Sequence, residues 1–301
     1  MHYYSFNDYA KKRFGKKVYK LSLSIAHTCP NRDGTVGRGG CIFCSGAGSG
    51  DFAQSADMPV GEQIERAKEL IAKKTDADSF IAYFQSFTST YLEPQKLRAA
   101  LECALSRDDI VAVSVATRPD CLADDILAVL KETASKKPLF VELGLQSSKK
   151  SSVKYIRRGY ENECYEKAVK ELHAIGAEVI THMIIGLPGE STADMLNTAD
   201  YIVHCGSDGI KLQLLHVLKG TDLQKDYESG KFSLPSLAEY IEILANIIER
   251  LPPDMVVHRI TGDGPKSILI APAFSADKKH VLNSINRYFR EQNVTQGKNA
   301  K

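Results

Sequence analysis

The sequence predicts an α/β fold, a partial (β/α)6 barrel followed by a C-terminal extension that contains helices and a strand-like segment. Short segments rich in Val, Ile, Leu and Phe, typical of buried parallel strands, alternate with longer segments of helical periodicity. The alternation occurs six times. Eight such units would close a full barrel. Repeated strand–helix units form parallel sheets with right-handed connections, so an open barrel is expected.

The six predicted strands are short and apolar. They are residues 21–26, 79–85, 110–116, 138–145, 178–185 and 209–215. The helices between them each carry an apolar stripe. They cover residues 61–74, 93–106, 121–135, 162–176 and 191–206. Ser191 or Thr192 is the expected N-cap of the last of these helices, and Gly176 is expected to end the helix before it.

The extension begins after the sixth strand. It holds an apolar-periodic helix over 234–253, the segment MVVHRITG over 255–262, and a final amphipathic segment over 277–292 that is expected to pack back on the body. Asp263, between glycines, is either a turn former or a catalytic residue. We predict a single domain over 1–301, with a core of about 20–220, a basic arm over 1–20 and the extension over about 234–292.

Composition and charge exclude some classes of protein. No apolar run approaches the roughly 18 residues that a membrane span needs, so no membrane partner is expected. The first residues, MHYYSFNDYAKKRFGKK, lack the apolar centre of a secretory signal. The net charge of +2 neither requires nor excludes nucleic acid. Seven cysteines, an odd number, indicate a reducing compartment, and we expect a cytoplasmic protein.

The first twenty residues combine cations with aromatic side chains. Because aromatic rings stack on bases and cations contact phosphates, this arm is compatible with RNA binding. The alternative is a solvated basic segment whose aromatic side chains pack on the barrel. The cations are Lys11, Lys12, Arg13, Lys16, Lys17 and Lys20, against the single acid Asp8.

Three cysteines lie in one glycine-rich stretch, CPNRDGTVGRGGCIFC, directly after the first predicted strand. Eleven residues separate Cys29 from Cys41, and two separate Cys41 from Cys44. Three thiolates fit a four-iron cluster with one iron open to a substrate or cofactor, since such clusters otherwise bind four cysteines. A zinc site would need His27 as its fourth ligand, and a thioredoxin-like CxxC pair would leave Cys29 unexplained.

The remaining four cysteines are scattered and lack ligand spacing, so a second cluster is not expected. They are Cys103, Cys121, Cys164 and Cys205. Polar segments, in contrast, follow the predicted strands at the ends where barrel enzymes build their active sites. These segments are residues 85–88, 117–120, 146–147 and 186–190, together with His216.

With these motifs the sequence resembles the radical S-adenosylmethionine (radical SAM) enzymes. The cysteine spacing departs from the common family spacing of three then two and is similar to that of the YhcC/YtqA-type proteins, relatives of the Elongator-type radical enzymes. The resemblance runs from the N-terminus to about residue 290. The segments that carry it are AYFQSFTSTY (82–91), VATRPDCL (115–122), VELGLQS (141–147), IRRGY (156–160), HMIIGLPGE (182–190), LQLLHVLKGTDL (212–223) and HRITGDGPKSILIAP (258–272).

The resemblance implies a radical SAM barrel with a [4Fe–4S] cluster on Cys29, Cys41 and Cys44 and S-adenosyl-L-methionine on the fourth iron. Reductive cleavage of that cofactor gives a 5′-deoxyadenosyl radical, which abstracts hydrogen from a substrate. An electron donor such as flavodoxin or ferredoxin is therefore expected as a partner.

Motif positions also imply residues that contact S-adenosylmethionine. Gln85 and Ser86 replace the glycine-rich element that holds the methionine amine in the family. The other expected contacts are Glu142 and Gln146 at the ribose or amine, Arg158 or Arg157 at the methionine carboxylate, and the backbone of Ile185 and Gly186 beside adenine. Several have structural alternatives, namely a Glu142–Arg118 salt bridge inside the barrel and surface-helix positions for the two arginines.

The resemblance further implies tRNA as the substrate, with conversion of a 5-carboxymethylaminomethyl group on the wobble uridine to 5-aminomethyl. The basic segment over 147–158 is compatible with an RNA backbone, as is the N-terminal arm. Two alternatives remain open. One is radical chemistry on a small metabolite or peptide, and the other is a non-catalytic, zinc-stabilised RNA-binding protein.

Overall fold

A parallel β-sheet forms the body of the protein. The computed structural model describes residues 2–48, 50–73, 75–262 and 264–300, so Asp263 and Lys74 lie outside the described residues. Within these residues, seven strands pair in parallel in the order β1–β2–β3–β4–β5–β6–β8. The strands are β1 Tyr19–Leu23, β2 Phe80–Phe84, β3 Ile110–Thr117, β4 Leu139–Gln146, β5 Glu178–Ile185, β6 Gly209–Leu214 and β8 Val256–Arg259.

The six predicted strands are confirmed, and the extension contributes a seventh. Gly209 of β6 pairs with Val256 of β8, so the segment after the sixth unit continues the same sheet. A separate two-stranded sheet joins β7 Val217–Leu218 to β9 Leu269–Ala271.

The longer helices between the strands cover the outer face of the sheet, and shorter ones lie in the loops. They are α1 Phe6–Phe14, α2 Pro30–Asp33, α3 Val60–Ala72, α4 Pro94–Leu105, α5 Asp124–Ala134, α6 Lys150–Tyr155, α7 Asn162–Ala174, α8 Thr192–His204, α9 Asp222–Glu228, α10 Leu237–Arg250 and α11 Lys278–Glu291. Ser191 caps α8 in a capping box with Asp194, and Gly176, at φ +81°, follows the end of α7. The amphipathic α11 packs back on the body through Val281, Ile285 and Phe289. No helix in the described ranges is long and apolar enough to cross a bilayer.

The N-terminal arm closes the amino end of the barrel. The ring of Phe6 stacks on His258 at 4.5 Å and meets Phe140 edge-on, while the hydroxyl of Tyr9 donates to Glu178 at 2.7 Å. Phe140 and Glu178 lie at the amino ends of β4 and β5, and His258 lies on the short strand β8. The arm therefore lies about 26 Å, the length of an eight-residue strand, from the carboxyl ends. The aromatic side chains of the arm pack on the barrel, as the alternative to an RNA-binding arm predicts.

The inner face of the sheet is layered. Apolar side chains near the amino end pack against α1, among them Ile81, Phe140 and Ile180. Charged and polar side chains come next, around Glu142. Nearest the carboxyl end are partly exposed polar positions such as Gln85, while outward-facing neighbours such as Phe84 are fully buried. The lumen, the space inside the curved sheet, is thus polar and open at the carboxyl ends of the strands. We call this end of the barrel the rim.

Candidate active site

The cysteine-containing loop leaves β1 at the rim. Cys29 is the N-cap of α2, whose first residue is Pro30, and the short helix ends at Gly34 with φ +100°. Pro suits the first helical position because it has no N–H to leave unpaired. Gly34 suits the end because only glycine adopts this conformation without strain. Asn31, on this one-turn helix, contacts two of the three thiols.

Asn31 lies between two of the thiols. Its backbone N–H donates to Cys29 Sγ at 3.4 Å, and its side-chain amide donates to Cys41 Sγ at 3.4 Å. The same amide donates to the carbonyl of Arg157, and the residue is 3% exposed. N–H donors directed at sulfur stabilise thiolates and tune iron–sulfur clusters. The sequence analysis missed Asn31, since an asparagine in a glycine-rich loop carries no distinctive signal.

The segment 156–160 forms a platform for this loop. The N–H of Ile42 donates to the carbonyl of Ile156 at 3.2 Å. Gly159 has φ +83°, and a Cβ there would lie 2.7 Å from Cγ1 of Val36 and 3.3 Å from Oδ1 of Asn31. Only glycine therefore allows the platform and the cysteine loop to approach this closely.

The three thiols fit a cluster better than a single ion. Cys41 hydrogen-bonds with Cys44, and this contact and burial raise the pKa of Cys41 well above its ordinary value. Among the described side chains, no three His, Cys, Asp or Glu residues converge as they would around one metal ion. A four-iron cluster binds each cysteine through a different iron, so it suits this looser set of thiols. The partly exposed positions of all three leave access from the rim.

His27, the fourth ligand of the zinc alternative, faces elsewhere. Its Nδ1 lies 3.9 Å from Oδ1 of Asp57, and its side chain is 63% exposed. The arrangement gives no support to a Cys3His zinc site. Of the other cysteines, Cys103 and Cys164 lie on the outer helices α4 and α7, and Cys121 follows β3 in a short 3-10 turn.

Backbone strain is concentrated at the rim. Phe87, Gln146 and Arg157 have φ values of +56°, +64° and +58°, in the left-handed region that non-glycine residues rarely adopt. Phe87 follows β2, Gln146 is the last residue of β4, and Arg157 follows the short helix α6. Strained residues of this kind cluster at functional sites, where the surrounding structure holds them in place.

The two arginines of IRRGY have different environments. All five N–H groups of the Arg158 guanidinium have protein acceptors, which are the carbonyls of Leu145, Ser147 and Tyr160 (twice) and Oδ1 of Asn162. Arg158 is 1% exposed, so its surface-helix alternative is wrong. In this conformation Arg158 has no donor left for a carboxylate. Arg157, 45% exposed, makes one ion pair with Asp222 at 2.7 Å and lies beside the cysteine loop.

Glu142 lies below the rim, and both its oxygens are engaged. Oε1 accepts from Lys20 at 2.7 Å and Ser114 at 2.9 Å, and Oε2 contacts His182 at 2.8 Å and also Lys211. Its side chain is 0% exposed, and both oxygens that the motif position assigns to the ribose or amine already have protein partners. The alternative pairing with Arg118 is wrong too. The guanidinium of Arg118 instead forms a two-bond ion pair with Asp120, at 2.9 and 2.7 Å.

The remaining predicted contacts lie at the rim. Gln85 and Gln146 are partly exposed at the ends of β2 and β4, whereas Ser86 is 3% exposed and packs against Gly50 of the cysteine loop. Ile185 ends β5 and is fully buried. Gly186, at φ +89°, lines a cleft of about 580 Å³ between residues 186–192 and 231–235.

Comparisons with known proteins agree with this architecture. The family model described as "Radical SAM superfamily" matches residues 23–202, and that of the "Radical_SAM C-terminal domain" matches residues 207–291. The uncharacterised protein YtqA of Bacillus subtilis is 42% identical over 296 residues, which cover 98% of this chain and 92% of YtqA.

Two comparisons with the archaeon Methanocaldococcus infernus, one of structure and one of sequence, extend the likeness. The structure of Methanocaldococcus infernus Elp3 with an N-terminal deletion superposes with a TM-score of 0.71 at 18% identity, covering 93% of this chain and 64% of that one. A likeness at this identity shows a shared fold. A tRNA uridine(34) acetyltransferase of the same organism is 29% identical over 168 residues, or 53% of this chain and 30% of that protein.

Proposed function

This chain belongs to the radical SAM superfamily, and on that basis we propose that it modifies the wobble uridine of tRNA. The modification proposed is conversion of a 5-carboxymethylaminomethyl side chain to 5-aminomethyl. The observation that carries the RNA assignment is the sequence likeness to a tRNA uridine(34) acetyltransferase, because that protein acts on the same base of tRNA. The fold shared with Elp3 supports it.

The cofactors of the family are a [4Fe–4S] cluster and S-adenosylmethionine. We assign the cluster to Cys29, Cys41 and Cys44, because Cys29 and Cys41 accept from Asn31 and Cys44 contacts Cys41. We assign the methionine carboxylate to Arg157 and not to Arg158. Arg157 is the exposed member of the pair, and a guanidinium binds a carboxylate through two parallel hydrogen bonds.

Other rim residues complete the cofactor contacts in this proposal. Gln85 and Gln146 are partly exposed at the ends of β2 and β4, where their amide groups suit the amine and the ribose, and Ser86 lies buried behind them against the cysteine loop. The backbone of Gly186 lines the cleft directly after Ile185, the last residue of β5, and we propose that adenine lies beside these two residues. Glu142 is removed from this list, because its oxygens are bound within the lumen.

When bound, the cluster and S-adenosylmethionine supply a 5′-deoxyadenosyl radical that removes a hydrogen atom from the substrate. Overall, the carboxymethyl group leaves the amine nitrogen as glyoxylate, with water supplying the aldehyde oxygen. The oxidation would balance with one hydrogen atom passing from the substrate to the adenosyl radical and one electron returning to the cluster, so that methionine and 5′-deoxyadenosine are the reduced products. The chain's own contribution is to orient the substrate in the lumen and to keep other hydrogen donors away.

The partners follow from this chemistry. A low-potential electron donor such as flavodoxin or ferredoxin would supply the electron that reduces the cluster before turnover begins, and we propose that the reaction occurs in the cytoplasm with its tRNA. Lys150 and Lys154 are exposed on α6 at the rim, where they are positioned to contact phosphates beside the target base. The cations of the N-terminal arm lie at the other end of the barrel.

Anaerobic turnover of defined tRNA tests the proposal. The reconstituted protein, a chemical reductant and tRNA carrying 5-carboxymethylaminomethyluridine should give 5-aminomethyluridine, glyoxylate and 5′-deoxyadenosine in equal amounts by mass spectrometry. The Cys41→Ala variant is the inactive control, and Cys103→Ala, on an outer helix, is the matched cysteine control. Deoxyadenosine formation that leaves the uridine unchanged would contradict the tRNA assignment.

A further inference from the structure

A buried cluster of charged side chains lies at the floor of the lumen. Glu142 contacts two lysines, Lys20 from β1 and Lys211 from β6, and accepts from His182 of β5. Lys211 also donates to the hydroxyl of Tyr83 at 3.1 Å. The side chains of Glu142 and Lys211 are 0% and 6% exposed.

The two lysines outnumber the carboxylate that they share. Each ammonium has three N–H groups. Among the described residues, Lys20 uses one on Glu142, and Lys211 uses one on Glu142 and one on Tyr83. His182 adds no charge to the cluster, because burial lowers its pKa to about 4 and the imidazole is neutral at pH 7. An excess buried charge costs free energy unless it is paired, so the cluster is suited to a second anion.

The floor can be reached from the rim. The side chains of Lys20 and His182 are each 20% exposed, although both point into the lumen. Above them, Gln213 lies 3.5 Å from Nδ1 of His182 and is partly exposed, as is Gly144 on β4. Outward-facing residues on the same strands, such as Leu212, are fully buried under helices. Solvent access to the cluster therefore comes through the lumen.

We propose that Lys20 and Lys211 bind a carboxylate of the substrate at the floor of the lumen. A bound carboxylate adds one negative charge, so that it and Glu142 together would balance two protonated lysines. Under the proposed function, on which this assignment rests, that group is the carboxylate of the 5-carboxymethylaminomethyl side chain. Its binding would hold the methylene next to the amine above the floor, toward the cysteine loop. It would also make the product, which lacks the carboxylate, the weaker ligand.

Binding of two RNA stem-loops to the holoenzyme tests the assignment. The two differ only in carrying 5-carboxymethylaminomethyl- or 5-aminomethyluridine. A charge-assisted contact of about 1.5–3 kcal/mol predicts about ten- to a hundredfold tighter binding of the carboxylated form by the wild type. Lys211→Met and Lys20→Met should each remove most of that preference. Lys68→Met should keep it, since Lys68 is equally exposed and paired with Asp109 but lies on the outer helix α3.

A second assay tests the carboxylate site without RNA. Thermal unfolding of the holoenzyme is followed with N-acetylglycine or with N-acetylglycinamide at matched ionic strength. The carboxylate should raise the melting temperature by about 2–4 °C at ten times its dissociation constant, and the amide should not. The rise should be absent in Lys211→Met and present in Lys68→Met.

The effect of pH adds a further readout. Burial lowers the pKa of Lys211 to about 7, so raising the pH from 6.5 to 8.5 removes its proton and should weaken binding of N-acetylglycine several-fold. The other titratable and charged groups near Lys211 are Glu142, Lys20, Tyr83, His182, His258 and Arg259, and burial lowers the pKa of both histidines, which stay neutral in this range. Burial raises the pKa of Tyr83, and Lys20 and Lys211 lower the pKa of Glu142, so neither changes charge in this range.

The outcomes separate this inference from the proposed function. Equal binding of the two RNAs together with no response to N-acetylglycine would overturn the carboxylate site, even if the uridine is converted. A Lys211-dependent response to N-acetylglycine without RNA turnover would support the site and contradict the tRNA assignment. A response that persists in both lysine variants would place the anion elsewhere and overturn the inference.

Discussion

The two ends of the barrel are built differently. At the amino end, Phe6 and Tyr9 of α1 pack on Phe140 and close the barrel with apolar contacts. At the carboxyl end, the residues after β2 and β4 include Phe87 and Arg157 in left-handed conformations, and three thiols lie in one loop. The difference indicates that the amino end supplies stability and the rim supplies chemistry, as in other barrels.

The largest effect is expected at the rim. Replacing Cys29, Cys41 or Cys44 by Ala removes one of only three proposed cluster ligands, so iron retention and S-adenosylmethionine cleavage should both be lost. The melting temperature of the apoprotein should hardly change, because all three thiols are partly exposed. Iron analysis and deoxyadenosine assays check this. A full cluster in any of these variants would refute the ligand assignment.

A core substitution at the amino end should have the opposite signature. Phe140 is fully buried under α1, so Phe140→Ala should lower the free energy of unfolding by about 3–5 kcal/mol. The rate of deoxyadenosine formation per folded molecule should stay close to that of the wild type. Denaturant unfolding and cofactor cleavage are measured on the same sample. A collapse of cleavage at unchanged stability would break the division between the two ends.

Asn31 should have an intermediate effect. Asn31→Ala removes the side-chain donor to Cys41 and the tie to the carbonyl of Arg157, and a lost hydrogen bond of about 1–2 kcal/mol predicts roughly tenfold faster iron loss to a chelator. Asn246→Ala, on α10 far from the thiols, is the matched control. Equal rates of iron loss in the two variants would remove Asn31 from the site.

The two arginines should respond in different ways to the same change. Arg157→Lys should weaken S-adenosylmethionine binding about tenfold with stability unchanged, because lysine cannot form two parallel bonds to a carboxylate. Arg158→Lys should lower the melting temperature, since it leaves buried carbonyls without donors. Equilibrium binding and thermal unfolding of both variants check this prediction. Weaker binding only in the folded Arg158→Lys protein would reverse the assignment.

The smallest effect concerns RNA and salt. Replacing Lys150 and Lys154 by Gln should flatten the dependence of tRNA affinity on salt by roughly 0.7–0.9 log units per lost phosphate contact. Replacing Lys11 and Lys12, on α1, should leave that dependence unchanged. Binding across a salt series is the measurement. A flatter slope from the α1 variant alone would move the RNA to the amino end.

The sequence predicted the barrel well because buried parallel strands and amphipathic helices have distinct periodicities. The sequence predicts the seventh strand, Val256–Arg259, only as part of an extension, because four residues are too few to show the two-residue alternation of a strand. The rim could be predicted from where polar segments follow strands. Side-chain partners could not, since they depend on which strands meet across the lumen. Lys211 within GIKLQLL was the one available signal, as a lysine inside an apolar strand needs a partner.

Arg158 shows most clearly what the sequence alone does not predict. IRRGY gives two adjacent arginines with the same chemistry, and only the fold shows that Arg158 is held by the carbonyls after β4 while Arg157 is exposed. The position of the basic arm was likewise undetermined by composition. Six cations near the N-terminus are compatible with either end of the barrel until the packing of Phe6 is known.

The central claim is that three cysteines at the rim hold a four-iron cluster with one iron open to S-adenosylmethionine. Mössbauer spectroscopy of the protein reconstituted with ⁵⁷Fe tests it most directly, because it resolves iron atoms in different coordination. We predict that adding S-adenosylmethionine shifts the signal of one iron in four and leaves the other three unchanged. Four irons that do not respond to the cofactor, or a protein that binds zinc and no cluster, would contradict the claim.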